Sequence, residues 1–330
     1  MSNTLNTLEI LKPKPCPHKL IRVGGDADGA YLIPSDLQGI SACFSPGCAN
    51  HKLFEDELTN RFDIRCHLMD FSSDAESFST PFVPGKQTFQ KKWLDIDGGP
   101  NSTTLTEWIS SLEPTGDLLL QMDIEGAEYR NLVNCPAFLL QRFRIIVLEL
   151  HNLEIRYNTT RFQNTITPVL QLLGNHFTCV HAHANNVGGR EWCPESGLDV
   201  PRVLEVTFLR NDRFSLVPQI PFNPPMIPHP LDIDCNSLNH PPLLLSERWL
   251  PNLKRNGESQ ARANSIYSVQ SGSCIDDIYR QLQTSEHRIQ LLERRLQDLN
   301  WFSWLERSFK SITSFFRNKK GTKNSSLKMP

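Results

Sequence analysis

The chain has 330 residues, which is long enough for one large domain with an appendage or for two domains. Its formal net charge of -2 at pH 7 is close to neutral. Because general nucleic-acid binders usually carry a strongly basic face, this charge argues against that class and predicts no nucleic-acid partner.

The cysteines and the apolar runs indicate the compartment. The nine cysteines lie at wide spacings without a C-x-x-C pair, so neither a zinc ribbon nor a disulfide framework is indicated. The first residues lack a basic stretch followed by an apolar core, so we expect no signal peptide. No apolar run approaches the roughly 20 residues that span a bilayer. Together these features predict reduced thiols and a cytoplasmic location.

The first predicted element is a hairpin. Residues 20–34 read as two short strands around a turn, in which Gly24 and Gly25 permit positive φ and Asp28 can bond to the backbone. We expect residues 1–39 to form either a flap over a binding site or a plain hairpin.

A strand, a loop and a helix follow. The strand is predicted at 40–45, the loop of small residues contains Gly47 and Asn50, and the helix is predicted at 53–62. Such a loop lets the backbone approach a bound cofactor closely.

A second strand, predicted at 64–69, ends at Asp70. In nucleotide-binding folds, an acid about 20 residues beyond the first loop accepts hydrogen bonds from ribose hydroxyls, and Asp70 has this spacing from Gly47. The alternative is that Asp70 only caps the next turn.

The apolar run at 117–122 predicts the central strand. It has almost no alternation, which is typical of a strand buried on both faces of a parallel sheet. Asp123 and Glu125 follow it directly. Since ligands of open α/β sheets bind outside the carboxyl ends of the strands, both acids are predicted at the mouth of a site. The alternative is that one of them caps the next helix.

The remaining core elements alternate between strands and helices, which predicts an α/β domain with a doubly wound, mostly parallel sheet. Because two lysines lie in the third strand, we expect it near a sheet edge or a loop. The strands are predicted at 87–94, 145–150, 177–180 and 203–209. The helices are predicted around Leu105, at 129–143 with an interruption near Cys135 and Pro136, and at 161–173.

Polar side chains at the carboxyl ends of these strands are the candidate catalytic groups. Asp123, Glu149, His151 and His183 could converge there, and His151 or Asp123 is the predicted general base. A variant is a divalent metal held by Asp123, His151 and His183, although nothing in their spacing is specific for a metal. His181 is expected on the opposite face of its strand from His183, as a structural histidine.

The C-terminal third differs in composition. A proline-rich stretch, 218–251, predicts an extended wrap that completes a domain at 40–252. Residues 253–272 read as a linker. Heptad spacing predicts a coiled coil at 273–300 and hence a homo-oligomer. Residues 301–330 are predicted as a basic amphipathic helix with a disordered end, in peripheral contact with a membrane. A helix that packs on a partner or on its dimer mate is the alternative.

Several of these motifs, in this order, resemble FkbM-type S-adenosylmethionine-dependent methyltransferases. They are R-x-G-x-D-x-D-G-x-Y-L at 22–32, D-I-E-G-A-E at 123–128, the Glu149 and His151 pair, and H-P-L-D at 229–232. The resemblance covers roughly 20–232. It implies a class I methyltransferase-like, Rossmann-like sheet that ends in antiparallel strands, and O-methylation of a hydroxyl of a sugar, a glycan or another secondary metabolite. The acceptor would be a small molecule or a glycan or lipid-linked compound.

The same resemblance implies S-adenosyl-L-methionine as the cofactor. The residues expected to hold it are Ser45, Gly47, Asn50, Asp70, Asp123 and Glu125. The loop sequence SPGCAN departs from the family's Gly-containing loop, so a non-catalytic scaffold that acts through its coiled coil stays open. An NAD-dependent oxidoreductase is disfavoured, because no G-x-G-x-x-G follows the first core strand.

Overall fold

A computed structural model describes residues 7–113, 115–153, 159–193, 198–215, 222–233, 236–237 and 239–250. The chain divides into two compact units, Met1–Lys254 and Arg255–Pro330, and every described residue lies in the first. The predicted linker, coiled coil and basic helix at 253–330 lie outside the described residues.

The described chain alternates strands with helices over most of its length. The strands are β1 (Leu20–Val23), β2 (Tyr31–Pro34), β3 (Ile40–Pro46), β4 (Arg65–Met69), β5 (Gln87–Gln90), β6 (Trp93–Leu94), β7 (Ser102–Thr103), β8 (Asp117–Met122), β9 (Phe143–Leu150), β10 (Phe177–Ala184), β11 (Arg190–Cys193), β12 (Leu198–Pro201) and β13 (Leu204–Arg210). The α-helices are α1 (Leu53–Phe62), α2 (Leu105–Leu112), α3 (Glu128–Asn134), α4 (Ala137–Leu140) and α5 (Thr159–His176). Short 3-10 helices lie at Glu9–Leu11, Ala75–Ser77, Asn211–Phe214 and Glu247–Trp249.

Seven of these strands form one mixed, mostly parallel sheet in the order β10-β13-β9-β8-β3-β4-β5. The strands from β9 to β5 are all parallel to one another, and β13 runs antiparallel between β9 and β10. The predicted α/β class with a mostly parallel sheet is confirmed. The third core strand is the edge strand of the sheet, but it ends at Gln90, so the two lysines on which the prediction rested, Lys91 and Lys92, follow the strand.

The central strand β8 is buried on both faces. Leu118 and Leu120 pack in one apolar cluster with α2, α3, α4 and α5, whereas Leu119 packs in a second cluster with α1 and the β1–β2 hairpin. Helices therefore cover both faces of the sheet, which explains why the sequence of this strand shows almost no alternation.

The N-terminal hairpin packs on the second face of the sheet. All four residues of β2 are buried. Thr207 in β13 donates a hydrogen bond of 2.6 Å to the carbonyl of Leu32, and Gln121 in β8 donates one of 3.2 Å to the hydroxyl of Tyr31. These bonds fix the hairpin to the sheet and set the position of the turn that joins β1 and β2.

A network of charged residues lies at the amino ends of the parallel strands, opposite the carboxyl ends at which the candidate site lies. The carboxylate of Asp117, at the amino end of β8, accepts hydrogen bonds from Arg144 (2.9 Å) and from Arg210 (2.9 and 3.2 Å). Asp36 accepts from Arg213 at 2.7 and 2.9 Å. Because these groups satisfy one another, we interpret the network as structural.

Helix α2 begins with a capping box at Thr104, whose hydroxyl accepts a hydrogen bond of 3.1 Å from the backbone N–H of Glu107. We expect Thr104→Ala to lower the free energy of unfolding by about 1 kcal/mol, because the helix loses this N-cap. Urea denaturation measures the change. The control Thr106→Ala, within the same helix, should not lower the stability, and equal losses in both variants would contradict the capping role.

The structure adds elements that the sequence did not predict. The pairs β6–β7 and β11–β12 form small separate sheets. The predicted interruption near Cys135 and Pro136 is confirmed, since it separates α3 from α4, but the helical region ends at Leu140 and Phe143 already belongs to β9. In the part of the chain that the structure describes, no helix is long and apolar enough to cross a membrane.

Candidate functional site

The loops that follow the parallel strands meet at the carboxyl ends of these strands. Gly47 follows β3, Asp70 follows β4, Asp123 follows β8 and His151 follows β9. In chain order the core runs from β3 outward to β4 and β5, and then returns to β8 on the other side of β3. The gap between β3 and β8 is therefore the switch point at which open α/β sheets bind ligands.

Gly47 brings the two loops at this switch point into contact. Its φ is 87°, and a Cβ built on it would lie 1.5 Å from the carbonyl oxygen of Asp123. The backbone N–H of Gly47 donates to the carbonyl of Met69 at 2.9 Å, and that of Asp123 donates to Pro46 at 3.2 Å. Only glycine fits here, so the single glycine of the loop SPGCAN lies where the backbone needs it.

Asp70 holds the first loop through local hydrogen bonds. Its Oδ2 accepts from the backbone of Ala49 at 2.7 Å, and its Oδ1 accepts from the backbone and the hydroxyl of Ser72, each at 2.7 Å. Burial would raise the pKa of Asp70, but these hydrogen bonds lower it below its ordinary value. The Ser73 hydroxyl is a further donor to this carboxylate, so local donors account for its roughly four acceptor positions.

Asn50 joins the loops after β3 and β4. Its backbone N–H donates to the Ser73 hydroxyl at 2.9 Å, and its side-chain oxygen accepts from the backbone of Asp74 at 3.2 Å. Ala49 and Asn50 both have positive φ, 42° and 63°. Left-handed residues in succession turn the chain tightly beside Asp70.

Ser45 lies below this loop, on the second face of the sheet. Its side chain is fully buried, and its hydroxyl contacts Glu55 closely and lies 2.6 Å from Oε1 of Gln121. Ser45 can therefore reach a bound cofactor only through its backbone.

His151 is the centre of a group of carboxylates. Its Nδ1 lies 3.1 Å from Oε1 of Glu128 and 3.1 Å from the carbonyl of Glu149. Two acceptors at this nitrogen require that it carry the hydrogen. In the neutral tautomer, Nε2 therefore has a free lone pair. It lies 3.5 Å from Glu125, 3.7 Å from Asp123 and 3.8 Å from Glu149.

The fully buried Glu128 orients this histidine. Its Oε1 also accepts hydrogen bonds from the backbone of Ile124 at 2.9 Å and of Gly126 at 3.1 Å. The same carboxylate thus fixes both the loop after β8 and the imidazole after β9. In the sequence this Glu only opened a helix, and nothing in the spacing indicated a partner 23 residues away.

The charges in this group perturb one another. Burial would lower the pKa of His151, but the hydrogen bond to Glu128 and the charges of Glu128, Asp123 and Glu125 raise it to about 9. Burial raises the pKa of Asp123 to about 7; the charge of His151 opposes this shift and that of Glu125 adds to it. The Oδ1 atom of Asp123 is buried and has no hydrogen-bond partner. Asp123 is therefore poised to exchange a proton near neutral pH.

A second group of carboxylates lies beside the first. Carboxylate oxygens of Asp28, Glu149 and Glu205 come within 4.8 Å of one another. Asn236 donates to Glu205 at 2.5 Å and to Asp28 at 3.0 Å, and Asn185 donates to Glu149 at 2.8 Å. Burial raises the pKa values of both Glu149 and Glu205. The turn of the N-terminal hairpin thus contributes Asp28 to the site edge.

His183 and His181 belong to a different contact. His181 Nε2 lies 2.9 Å from Oδ1 of Asp232, and His183 Nδ1 lies 3.6 Å from Oδ2 of the same carboxylate. The expectation that the two histidines lie on opposite faces is wrong. Residues two apart in a strand share a face, and both therefore reach Asp232 in the proline-rich segment.

The structure brings three of the predicted site residues within 4.8 Å of one another: Asp123, Glu125 and His151. His183 is outside that group. Sequence reasoning did not place Glu128, Glu205 or Asp232 in the site. For Glu205 a signal was present, because it is the single carboxylate in a strand whose other residues are mostly apolar.

A scan against protein-family models and a search of curated proteins found no match to this chain. What the site does is therefore inferred from its own geometry and chemistry.

Proposed function

We propose that the chain is an S-adenosylmethionine-dependent methyltransferase that O-methylates a hydroxyl of a sugar, a glycan or another secondary metabolite. The observation that carries the proposal is the sheet order with the antiparallel β13 inserted between β9 and β10. This is the closing arrangement expected of a class I methyltransferase-like, doubly wound fold, and it accompanies the motifs that resemble FkbM-type enzymes.

The loops at the switch point fit such a cofactor. Gly47 lets the backbone after β3 approach closely, and the Asp70 carboxylate lies at the end of β4, where a ligand hydroxyl would replace or share one of its local donors. In nucleotide-binding sheets, a carboxylate at this position binds the ribose hydroxyls. Asn50, in the loop after β3, and Glu125, in the loop after β8, would complete the cofactor site.

The acceptor hydroxyl would lie beside Asp123 and His151. Bound S-adenosylmethionine supplies an activated methyl group for an in-line displacement, so the protein mainly aligns the groups and excludes water. The hydroxyl also needs a base. Asp123 is the better candidate, because its pKa of about 7 lets it take a proton near neutral pH. His151, with its pKa raised to about 9, holds a positive charge beside the reacting oxygen.

Calorimetric titration of the purified full chain with S-adenosylmethionine tests the proposal, with NAD as a control ligand. We expect micromolar affinity for S-adenosylmethionine, at least tenfold weaker binding by Asp70→Ala, and no binding of NAD. Because Asp70 also bonds to Ala49 and Ser72, a thermal melt must show that the variant is folded. The matched control Asp74→Asn changes an exposed acid four residues away and should bind normally.

The remaining outcomes assign other functions. Binding of NAD but not of S-adenosylmethionine would favour the oxidoreductase. Binding of neither, by folded protein, would favour a scaffold that acts through the predicted coiled coil.

We further propose that the reaction takes place in the cytoplasm, on a small-molecule, glycan or lipid-linked acceptor. The cysteines for which the structure describes a side chain are all buried and free, which fits a reducing compartment. The predicted membrane contact of 301–330 and the homo-oligomer through 273–300 add to this proposal from sequence alone.

A further inference from the structure

His151 combines deep burial with an unused nitrogen. The residue is 8% exposed, and its Nε2 points into a group of carboxylate oxygens from Glu125, Asp123 and Glu149 at 3.5 to 3.8 Å. These distances exceed those of a good N–H···O hydrogen bond. The nearest oxygen of Asp123 is also buried and has no hydrogen-bond partner. Nε2 of His151 and Oδ1 of Asp123, which come from different loops, thus lie 3.7 Å apart without a good hydrogen bond between them.

The opposite side of the imidazole is fixed. Nδ1 donates to the buried carboxylate of Glu128, which two backbone N–H groups hold in turn. A carboxylate that binds one nitrogen of a histidine, and so presents the other, is the usual outer-shell support of a metal-ligating histidine.

We propose that Asp123, Glu125 and His151 form a binding site for a divalent cation, with Glu149 at its edge. The three ligand atoms come within 4.8 Å of one another. A cation with ligands at roughly 2.0 to 2.6 Å separates adjacent ligand atoms by about 3 to 3.6 Å, so side-chain shifts of about 1 Å suffice. One imidazole with several carboxylates suits Mn²⁺ or a similar ion of intermediate softness.

The charge balance also favours a cation. His151 carries at most one positive charge, whereas the carboxyl groups of Asp123, Glu125, Glu128 and Glu149 surround it, and burial disfavours the charged forms of Asp123 and Glu149 when no cation is bound. Excess negative charge in a partly dry site is costly unless it is paired. A divalent ion at Nε2 would offset more of this charge than a proton does.

This site differs from the metal variant that the sequence allowed. His183, one of the three ligands of that variant, contacts Asp232 instead, and the exposed Glu125 takes its place in the group. The inference concerns cation binding and holds whether or not the chain transfers methyl groups. With a cation bound, His151 would be neutral, and the cation would supply the positive charge that the imidazolium supplies in the metal-free site.

Titration of the full-length, metal-free protein with Mn²⁺, followed by the loss of the free-ion electron paramagnetic resonance signal, tests the site. We expect stoichiometric binding by the wild type, affinity at least tenfold weaker in Glu125→Gln, and a larger loss in His151→Ala. The side chain of Glu125 is 88% exposed, so its variant should fold even if His151→Ala does not.

Asp63→Asn is the matched control. Asp63 is also an exposed acid with positive φ, 58° against 56° for Glu125. It lies before β4, at the amino ends of the parallel strands and therefore away from the site. It should bind Mn²⁺ as the wild type does. Failure of the folded protein to bind Mn²⁺, or equal affinity in Glu125→Gln and Asp63→Asn, would overturn the site and leave His151 as a buried imidazolium.

The titration with S-adenosylmethionine separates this inference from the proposed function. Mn²⁺ binding that depends on Glu125, without cofactor binding, supports the cation site and rejects the methyltransferase. Cofactor binding without Mn²⁺ binding supports the methyltransferase and rejects the cation site.

Discussion

Gly47→Ala should lower the free energy of unfolding by roughly 3 kcal/mol or more and should abolish ligand binding at the switch point. The positive φ alone costs a residue with a Cβ about 1 to 2 kcal/mol. The larger effect is steric, because the new Cβ would lie 1.5 Å from the backbone oxygen of Asp123, which cannot rotate away as a side chain could. The loops after β3 and β8 must separate, and Asp123 moves with them. Urea denaturation and calorimetric titration with S-adenosylmethionine measure the two effects.

Gly25→Ala separates the steric effect from the backbone strain. Gly25 has the same φ of 87°, but a Cβ there would meet nothing within 4 Å. We expect this variant to lose only about 1 kcal/mol, the cost of the left-handed conformation. Equal destabilisation by the two substitutions would show that the contact between Gly47 and Asp123 does not control the site.

The strands of the core were predictable because burial on both faces leaves a direct mark on the sequence. Leu118, Leu119 and Leu120 pack into two different clusters, so this strand has no polar side. The acids after it were also predictable, since a charge directly after such a strand must lie at its end. Local patterns of this kind identify which residues lie at the carboxyl ends of the strands.

The partners at these carboxyl ends were not predictable, because they are distant in the sequence. Glu128 and His151 are 23 residues apart, and Asp28 and Asn236 are 208 apart. Their contacts depend on the order of strands in the sheet, which hydrophobic periodicity does not report. His181 and His183 are a different case: their prediction was wrong because period-two alternation was misapplied, since residues two apart in a strand share a face.

Ser45 shows how a residue in the predicted motif can have another role. Its hydroxyl joins a buried chain that runs from Glu55 in α1 through Gln121 to the hydroxyl of Tyr31. Ser45 has one hydrogen to donate, yet it contacts oxygens of both Glu55 and Gln121. The chain is fully satisfied only when Glu55 is protonated, because Glu55 then donates to Ser45, Ser45 to Gln121, and Gln121 to Tyr31.

Glu55→Gln should make the stability of the protein less dependent on pH. Burial raises the pKa of Glu55 to about 7 from an ordinary value of 4.5, although the hydrogen bond from Ser45 opposes the shift. Between these two values the folded state holds a proton that the unfolded state has released. The free energy of unfolding therefore falls as the pH rises through this window, by about 3 kcal/mol from this group, and stays low above pH 7.

An uncharged glutamine can donate to Ser45 in place of the protonated acid and has no proton to lose. Urea denaturation of the wild type and of Glu55→Gln at pH 5 and pH 8 tests this. We expect similar stabilities at pH 5 and a variant more stable by about 3 kcal/mol at pH 8. Glu76→Gln, at an exposed position, should retain the wild-type pH dependence. The same loss of stability between pH 5 and pH 8 in Glu55→Gln and in the wild type would mean that Glu55 is ionised in the folded protein and that the chain to Tyr31 contains an unsatisfied acceptor.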